Sequence, residues 1–153
     1  MNPQRTAGDI CTRKVTVANK DMPLNVAARL MREHHVGCLV AVEDTADGQR
    51  VVGLLTDRDI VTAVVAEEVD AATVRIDDVM SREVATVRPT ATLIDVLHTL
   101  RRKSVRRLPV TGPKGQLIGL VAADDVLEAI AAELHKLTES LLTQPYRESR
   151  ARP

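Results

Sequence analysis

Aromatic side chains are nearly absent from this sequence of 153 residues. Phe, Trp and Tyr together make up 1% of it, with no Phe, no Trp and a single Tyr at position 146. Proteins that bind single-stranded nucleic acids stack the bases on aromatic platforms, so the composition excludes this class of binder. A planar ligand would have to be held by aliphatic side chains and by the backbone instead.

Neither sign of charge is in excess. Lys and Arg number 21, Asp and Glu also number 21, and the formal net charge is zero. A protein that coats nucleic acids or anionic membranes needs a positive excess, so we expect no nucleic acid and no membrane as partners. The hydrophobic content of 44% and the charged content of 27% are typical of a folded chain, and the length fits one compact domain or two small intertwined halves.

Cysteine is also scarce. Cys11 and Cys38 form no C-x-x-C motif and are too few for a zinc cage, so we expect no metal. Two buried, reduced thiols are favoured over a disulfide. No apolar run reaches the roughly 20 residues that a membrane span needs, and residues 1–5 lack the core of a signal peptide. We therefore expect a cytoplasmic protein.

The chain contains an internal repeat with an offset of 69 residues. Two copies are too few for a solenoid, so they predict two half-domains that cover each other's apolar faces. The matching pairs are 9–15 with 78–84, 24–27 with 93–96, 36–39 with 105–108 and, after a loop that is three residues shorter in the second copy, 53–60 with 119–126.

Each copy predicts the same elements in the same order: a short extended segment, an amphipathic helix, a hairpin and a second helix. The amphipathic helix has one apolar side, formed by Leu24, Ala27, Leu30 and Met31 in copy one and by Leu93, Val96, Leu97 and Leu100 in copy two. The other predicted elements are extended segments at 15–17 and 84–87, hairpins of 38–42 with 51–55 and of 107–111 with 117–121, and second helices that start near Asp57 and Asp124.

The order β-α-β-β-α, found twice, predicts an α/β fold. We divide the chain into an N-terminal tail (1–8), a first repeat (9–70), a second repeat (71–132), and a helix extension with a flexible tail (133–153). In the first helix, Pro23 suits a position in the first turn.

The last helix continues beyond the repeat. Its apolar residues alternate steps of three and four, as in a heptad seam: Leu127, Ile130, Leu134, Leu137 and Leu141. Either this helix lies on its own domain or the seam meets a partner chain, and we favour the partner chain because the repeat already has a core face. Gln144-Pro145 is expected to end the helix, and the tail to Pro153 is expected to be mobile.

These features resemble a tandem pair of cystathionine-β-synthase (CBS) domains, also called a Bateman module. The resemblance covers about residues 9–132. It implies two repeats packed about a pseudo-twofold axis with two clefts between their sheets. The matching stretches are Gly53-Leu54-Leu55-Thr56-Asp57-Arg58-Asp59, Arg107-Leu108-Pro109-Val110 and Asp78-Val79-Met80-Ser81.

What the resemblance implies for function is a regulatory module without chemistry of its own. Its clefts would take an adenosine-containing ligand such as AMP, ADP, ATP or S-adenosylmethionine, with no required cofactor. Modules of this family pair into dimers, so a homodimer is expected, and an effector protein could read the bound state.

Thr56 and Asp59 are the first candidate site residues, at the turn from a strand into a helix. One carboxylate can accept hydrogen bonds from both hydroxyls of a ribose, and a Thr hydroxyl can donate to a phosphate oxygen near a helix N-terminus. The same pattern is also a capping box, with Thr56 as N-cap and Asp59 near N3, which needs no ligand. The local sequence favours the cap, the resemblance favours the ribose site, and both roles can coexist.

The second copy keeps only part of this pattern. Ala122 replaces Thr56 and so has no hydroxyl, whereas Asp125 keeps the carboxylate in the position of Asp59. Asp124 is a candidate to cap this helix instead. We therefore expect one good nucleotide cleft and one that is poor or differently used.

Arg106 and Arg107 are the candidate phosphate ligands. In the family the corresponding positions can reach across the axis to the other copy's cleft, so both would serve the cleft of Thr56 and Asp59, where the planar fork of arginine suits phosphate. The alternative is a solvated basic stretch. The cleft of Asp125 would be served by Gly37 and Cys38, which carry no charge. By the same analogy, the segment from Thr12 to Val15 and Pro109 would hold the adenine.

Two other functions compete with this interpretation. An enzyme is disfavoured because His34 and His35 are adjacent rather than four residues apart, His98 and His135 stand alone, and no nucleophile-elbow or phosphate-loop motif occurs. A ligand-free dimerisation scaffold would have the same fold, with Thr56 and Asp59 acting only as caps.

Overall fold

The computed structural model describes residues 5–148, and the residues of the predicted tails at 1–4 and 149–153 lie outside the described part. The helices are α1 (Ala7–Ile10), α2 (Leu24–His34), α3 (Asp57–Ile60) with a π-helical continuation (Val61–Val65), α4 (Ile76–Val79), α5 (Leu93–Lys103) and α6 (Ala123–Glu148). The strands are β1 (Val17–Asn19), β2 (Cys38–Thr45), β3 (Gly48–Thr56), β4 (Arg107–Thr111) and β5 (Leu117–Ala122).

The amphipathic helices α2 and α5 are equivalent down to their ends. Each has 11 residues and stops at a residue in the left-handed conformation, His35 in one and Ser104 in the other, both with φ of 53°. Their predicted apolar sides face the interior. Pro23 is the N-cap of α2, one position before the first turn in which it was expected.

The two sheets differ in size. In the first half β1 pairs with β2 in parallel and β2 pairs with β3 antiparallel. In the second half β4 and β5 form a hairpin, and the predicted extended segment 84–87 contributes only the parallel bridge of Val87 with Val110. The extended segment of the first half begins later than predicted, because β1 starts at Val17.

The first hairpin is longer than the sequence predicted. The polar residues 43–50 were expected to connect the strands, but β2 runs to Thr45 and β3 starts at Gly48. Polar side chains are tolerated here because this end of the hairpin is exposed, and Glu43 forms ion pairs with Lys20 and Arg50. Gly48 has φ of 115°, which glycine adopts without strain and which closes the short turn.

The start of each repeat packs into the core of the other one. Ala7 of α1 is fully buried in the core cluster of the second half, and Ile76 of α4 is fully buried in the cluster of the first half. Residues 5–8 therefore belong to the fold and do not form the expected tail. The repeat boundaries 9–70 and 71–132 remain a prediction about the sequence. In the structure, the first helix of each repeat packs in the core of the other repeat, so the two packed halves do not coincide with the two repeats.

Two isolated antiparallel bridges hold the segments that follow α1 and α4 against the opposite hairpins. Thr12 and Leu120 exchange backbone hydrogen bonds of 2.9 and 3.0 Å, and Ser81 and Leu54 do the same at 2.9 and 3.1 Å. The residue before Leu120 in β5, Gly119, lies so close to the end of α1 that an added Cβ would be 2.6 Å from the Cys11 sulfur. The absence of a side chain at Gly119 is thus what allows the chain to cross.

Helix α6 does not end at Gln144-Pro145 as predicted but continues to Glu148. A proline removes one donor from a helix, and here it deprives only the carbonyl of Leu141, in a part of the helix that is exposed to water. The expected mobility of the tail falls on residues that are mostly outside the described part. Between residues 5 and 148 no helix has the length and the apolar character to cross a membrane.

Along α6 a row of leucines faces solvent. Ile130 packs partly on the core of the second half, whereas Leu127, Leu134, Leu137 and Leu141 are 58–64% exposed. The predicted seam therefore starts on the domain and continues away from it, with no second helix of the described chain covering it.

Candidate functional site

The predicted cleft of Thr56 and Asp59 exists, and we call it the first cleft. It has a volume of about 440 Å³. It lies between the end of the β2–β3 hairpin, the segment after α4 and the start of β4. The lining residues are Cys38, Leu54, Thr56, Arg58, Asp59, Ser81, Glu83, Val84, Ala85, Ser104, Val105, Arg106 and Arg107.

Thr56 and Asp59 form the predicted capping box at the start of α3. The backbone N–H of Thr56 donates to Oδ2 of Asp59 at 2.8 Å, and the backbone N–H of Asp59 donates to the hydroxyl of Thr56 at 3.2 Å. The cap interpretation is thus confirmed. Oδ1 of Asp59 accepts no hydrogen bond from the described residues, so this carboxylate, which lines the cleft, keeps acceptor capacity.

The same box also caps two helices whose box residues line neither of the two clefts. Thr6 and Asp9 form it at α1, and Thr92 and Asp95 form it at α5. In α1 the backbone and hydroxyl hydrogen bonds from Thr6 lower the pKa of the Asp9 carboxyl below its usual value. The Thr-x-x-Asp pattern is therefore a general capping device in this chain, and Thr56 and Asp59 are distinguished by lining a cleft together with Arg106 and Arg107.

Arg106 and Arg107 line the first cleft together with Thr56 and Asp59. The resemblance to the family implied this, because these arginines belong to the second copy and were expected to reach across to the cleft of the first. Both arginines come from the second half, and both are exposed. Neither guanidinium forms an ion pair with a described carboxylate. The cleft thus brings the guanidinium groups of Arg106 and Arg107 and the carboxylate of Asp59 around one space, which suits a ligand with both phosphate and hydroxyl groups.

Sequence reasoning missed Arg58 and Glu83 in this cleft. Arg58 stands within the quoted motif between the two aspartates, so its position was available, but nothing in the pattern showed that its side chain lines the cleft. Glu83 is in the exchanged segment after α4, which only the tertiary structure brings here.

The second cleft lies around Asp125 and has a volume of about 330 Å³. Its capping box is half complete: the backbone N–H of Ala122 donates to Oδ2 of Asp125 at 2.8 Å, and no hydroxyl replaces that of Thr56. Within the described chain Asp124 makes no capping hydrogen bond, so Asp125 holds the start of α6 instead. The lining residues are Thr12, Lys14, Val15, Thr16, His35, Val36, Gly37, Cys38, Arg107, Leu120, Ala122 and Asp125.

The expected adenine-binding segment lies in this second cleft. Thr12 and Val15 line it beside Asp125, and they are absent from the lining of the first cleft. The reason is the exchange of the repeat starts, because Thr12 is paired with Leu120 of β5. The equivalents of Thr12 and Val15 in the first cleft are Ser81 and Val84. Pro109 is fully buried in β4 and lines neither cleft.

The second cleft also carries more charge than predicted. Gly37 and Cys38 line it as expected, but so do the cationic side chains of Lys14 and Arg107. Lys14 lies within the segment that was expected to hold the adenine, but that expectation named neither a cleft nor a charged contact for this segment. Arg107 lines both clefts, whereas the sequence placed it in the first cleft alone, because a sequence does not show how close two clefts lie.

Cys38 lies in the wall that both clefts share. Burial raises the pKa of its thiol above the usual value, an effect that the carboxylates of Asp59 and Asp57 reinforce and the guanidinium of Arg107 opposes. Both cysteines are free and half-buried, in agreement with the preference for reduced thiols over a disulfide. Within residues 5–148 no group of three or more His, Cys, Asp or Glu side chains is placed to hold a metal ion.

Comparison with known proteins identifies the fold. The model of the CBS domain matches this chain twice, over residues 7–66 and 76–132. Hypoxic response protein 1 of Mycobacterium tuberculosis is 33% identical over 121 residues, which cover 79% of this chain and 82% of that protein.

Solved structures agree. The crystal structure of hypoxic response protein I with two coordinated zinc ions has a TM-score of 0.71 at 32% identity, covering 80% of this chain and 97% of that one. A CBS domain pair in complex with 5′-methylthioadenosine and S-adenosyl-L-methionine has a TM-score of 0.73 at 21% identity, covering 86% and 99%. The α/β fold of two repeats with a C-terminal helix, expected from the sequence, is confirmed.

Proposed function

The chain belongs to the CBS-domain family, and we propose that it is a regulatory module that binds an adenosine-containing ligand, such as AMP, ADP or ATP, in the first cleft. It has no catalytic role in this proposal, and the bound state is signalled through a partner protein or a change of oligomer. The cytoplasmic location expected from the sequence remains a prediction.

The observation that carries the proposal is the meeting of Asp59 with Arg106 and Arg107 in one cleft. The free acceptor capacity of the Asp59 carboxylate suits the two neighbouring hydroxyls of a ribose, and the two guanidinium groups suit phosphate oxygens. A volume of about 440 Å³ falls in the usual range for small-molecule sites, about 300–1,000 Å³.

The adenine would lie between aliphatic walls, since the first cleft has no aromatic residue. Leu54, Val84 and Val105 supply apolar surface. The role first expected for Thr12 and Val15 passes to Ser81 and Val84 in this cleft, whereas Thr12, Val15 and Asp125 would contact a ligand in the second one. One related CBS pair binds adenosyl compounds, which supports this ligand class.

A homodimer is the assembly that the surface favours. Leu134, Leu137 and Leu141 repeat at heptad spacing on an exposed helix face. Val61 of the first half, in the position equivalent to Leu127, is also exposed, by 53%. Exposed apolar rows of this kind are typical of surfaces that another chain covers. Because α6 begins at the second cleft, ligand-dependent shifts of its first turn would reach the seam.

The alternative is a dimerisation scaffold without a ligand. The capping boxes at α1 and α5 favour it, because they show that Thr-x-x-Asp caps helices in this chain outside the two clefts as well. In this alternative Arg106 and Arg107 are solvated surface charges.

Thermal unfolding with AMP, ADP, ATP and S-adenosylmethionine separates the two functions. A ligand at one hundred times its Kd stabilises the native state by about 2.7 kcal/mol, which raises the midpoint of a protein of this size by about 5 °C or more. The variant Asp59→Ala should lose the shift, and Asp95→Ala, which breaks the same box outside the clefts, should keep it. If none of the four compounds moves the midpoint, the scaffold is the correct interpretation.

A further inference from the structure

Arg107 and Cys38 are the two side chains that line both clefts. Arg107 is the first residue of β4, where its backbone is paired with Ala122 of β5. Its Cα is therefore fixed between the clefts, while its exposed side chain is free to turn toward either one.

The charges that line each cleft give Arg107 a special position. In the first cleft the cations are Arg58, Arg106 and Arg107, and the carboxylates are Asp59 and Glu83. In the second cleft the cations are Lys14 and Arg107 and the carboxylate is Asp125, with His35 counted as neutral. Cations exceed carboxylates by one in each cleft, and in each cleft the excess disappears without Arg107.

We propose that the two clefts are both anion sites that share Arg107, so that a phosphate-bearing ligand in one cleft weakens binding in the other. This proposal rests on the proposed function for the identity of the ligand but not for the sharing itself. It replaces the expectation of one good and one poor cleft with two clefts that compete for one side chain.

The physical reason is that one guanidinium carries a single positive charge, and the excess of cations in both clefts depends on that same charge. The ligand that binds second finds a cleft with no net positive charge and faces the negative charge of the first ligand across the shared wall. A hydrogen bond to a charged group has the strength to change affinity about tenfold or more. By linkage the weakening is the same in both directions, whichever cleft fills first.

The test isolates each cleft with a matched pair of substitutions. Glu83→Trp fills the first cleft and Lys14→Trp fills the second; both positions are exposed and equivalent in the repeat, so the fold should tolerate them. Isothermal titration with ADP then gives the Kd of each open cleft alone and the two stepwise Kd values of the unmodified chain. Circular dichroism checks that each variant is folded.

We expect the second stepwise Kd of the unmodified chain to be at least about tenfold weaker than the Kd of the weaker cleft measured alone. The same comparison is then made in the Arg107→Gln background, alone and with Glu83→Trp or Lys14→Trp. There the second stepwise Kd should equal the Kd of the weaker cleft measured alone. Arg106→Gln should keep the gap between these two values, because Arg106 lines the first cleft and is not among the residues that line the second. Stepwise values equal to the isolated ones, or a gap that persists in Arg107→Gln, overturn the proposal.

The same titrations with pyrophosphate keep the two proposals apart. If pyrophosphate binds as tightly as ADP, the adenosine function is wrong, and the pyrophosphate curves still decide whether Arg107 is shared. If neither ADP nor pyrophosphate binds, both the function and the sharing are refuted.

Discussion

The two hairpin–helix junctions, residues 53–59 and 119–125, have nearly the same backbone and different chemistry. In each one a glycine lies against the end of a helix from the other half, and an aspartate accepts a 2.8 Å hydrogen bond from the N–H three residues earlier. The first junction adds the hydroxyl of Thr56, and the second has the methyl of Ala122. The segment that crosses to each junction brings Glu83 to the first and Lys14 to the second.

The helices that leave these junctions differ as well. In the first half α3 and its π-helical continuation end by Val65, whereas α6 continues to Glu148. The backbone of the junction is therefore kept by glycine, main-chain pairing and the aspartate. The residues that differ between the halves are those that would select a ligand or a partner.

The largest effect is expected where the halves differ most, on the seam of α6. The double substitution Leu134→Glu and Leu141→Glu places unpaired carboxylates in the proposed dimer interface, and burying a charge without a partner is strongly unfavourable. We expect the dimer Kd to rise by at least about a hundredfold, as measured by light scattering across a concentration series. Leu142→Glu, which is off the seam, is the control. A mass that is unchanged by the double substitution would place the interface elsewhere.

The second prediction compares the two crossing glycines. In Gly119→Ala the new Cβ meets the sulfur of Cys11 at 2.6 Å and the carbonyl of Thr12 at 2.9 Å. In Gly53→Ala it meets the sulfur and Cγ of Met80 and the carbonyl of Ser81 at 3.0 Å. Met80 has three rotatable side-chain bonds and can move away more easily than the short side chain of Cys11. We expect Gly119→Ala to cost about 3 kcal/mol and Gly53→Ala about 1 kcal/mol, as is typical of overpacking. Urea unfolding measures both values.

Rescue tests the cause of that difference. Cys11→Ala in the Gly119→Ala background should recover part of the lost stability, because it removes the sulfur that the new Cβ meets. Equal losses for the two glycines would mean that Met80 moves away no more easily than Cys11, and no recovery would mean that the sulfur of Cys11 is not the cause of the loss.

The third prediction concerns the two aspartates. Asp59→Ala removes the carboxylate that faces Arg106 and Arg107, so the tighter ADP Kd should weaken by about tenfold or more. Asp125→Ala should weaken that Kd far less. Equal losses would reject the assignment of the tighter site to the first cleft, and Asp95→Ala controls for the loss of a capping box alone.

The smallest effect is expected when the N-cap residues of the two junctions, Thr56 and Ala122, are each replaced by the other's residue type. Thr56→Ala should lower the free energy of unfolding by about 1 kcal/mol, and Ala122→Thr should raise it by up to that amount. The reason is that a threonine at 122 would supply the hydroxyl that the half-complete box lacks. Thr92→Ala, at the full box of α5, gives the reference value. If Ala122→Thr is neutral, the Asp125 hydrogen bond already satisfies the start of α6.

Much of this arrangement could be predicted because it depends on local patterns. The spacing of Leu93, Val96 and Leu100 predicted α5 whatever surrounded it, and Thr56 with Asp59 predicted a cap that forms within four residues. The hairpin ends at Thr45 and Gly48 were missed because polar residues tolerate both loop and exposed strand. The end of α6 was missed because Pro145 removes only one hydrogen bond, the one to the carbonyl of the exposed Leu141.

By itself, the sequence determined the two repeats and their fold class, since these follow from periodicity and from the repeat symmetry. The meeting of Thr56 and Asp59 with Arg106 and Arg107 was expected only from the resemblance to the family. Only the tertiary structure decided which segment lines which cleft. Gly119 and Gly53 let each repeat's start cross to the opposite hairpin, which carries Lys14 to Asp125 and Glu83 to Asp59. That crossing depends on close packing between residues far apart in the chain, and no local pattern records it.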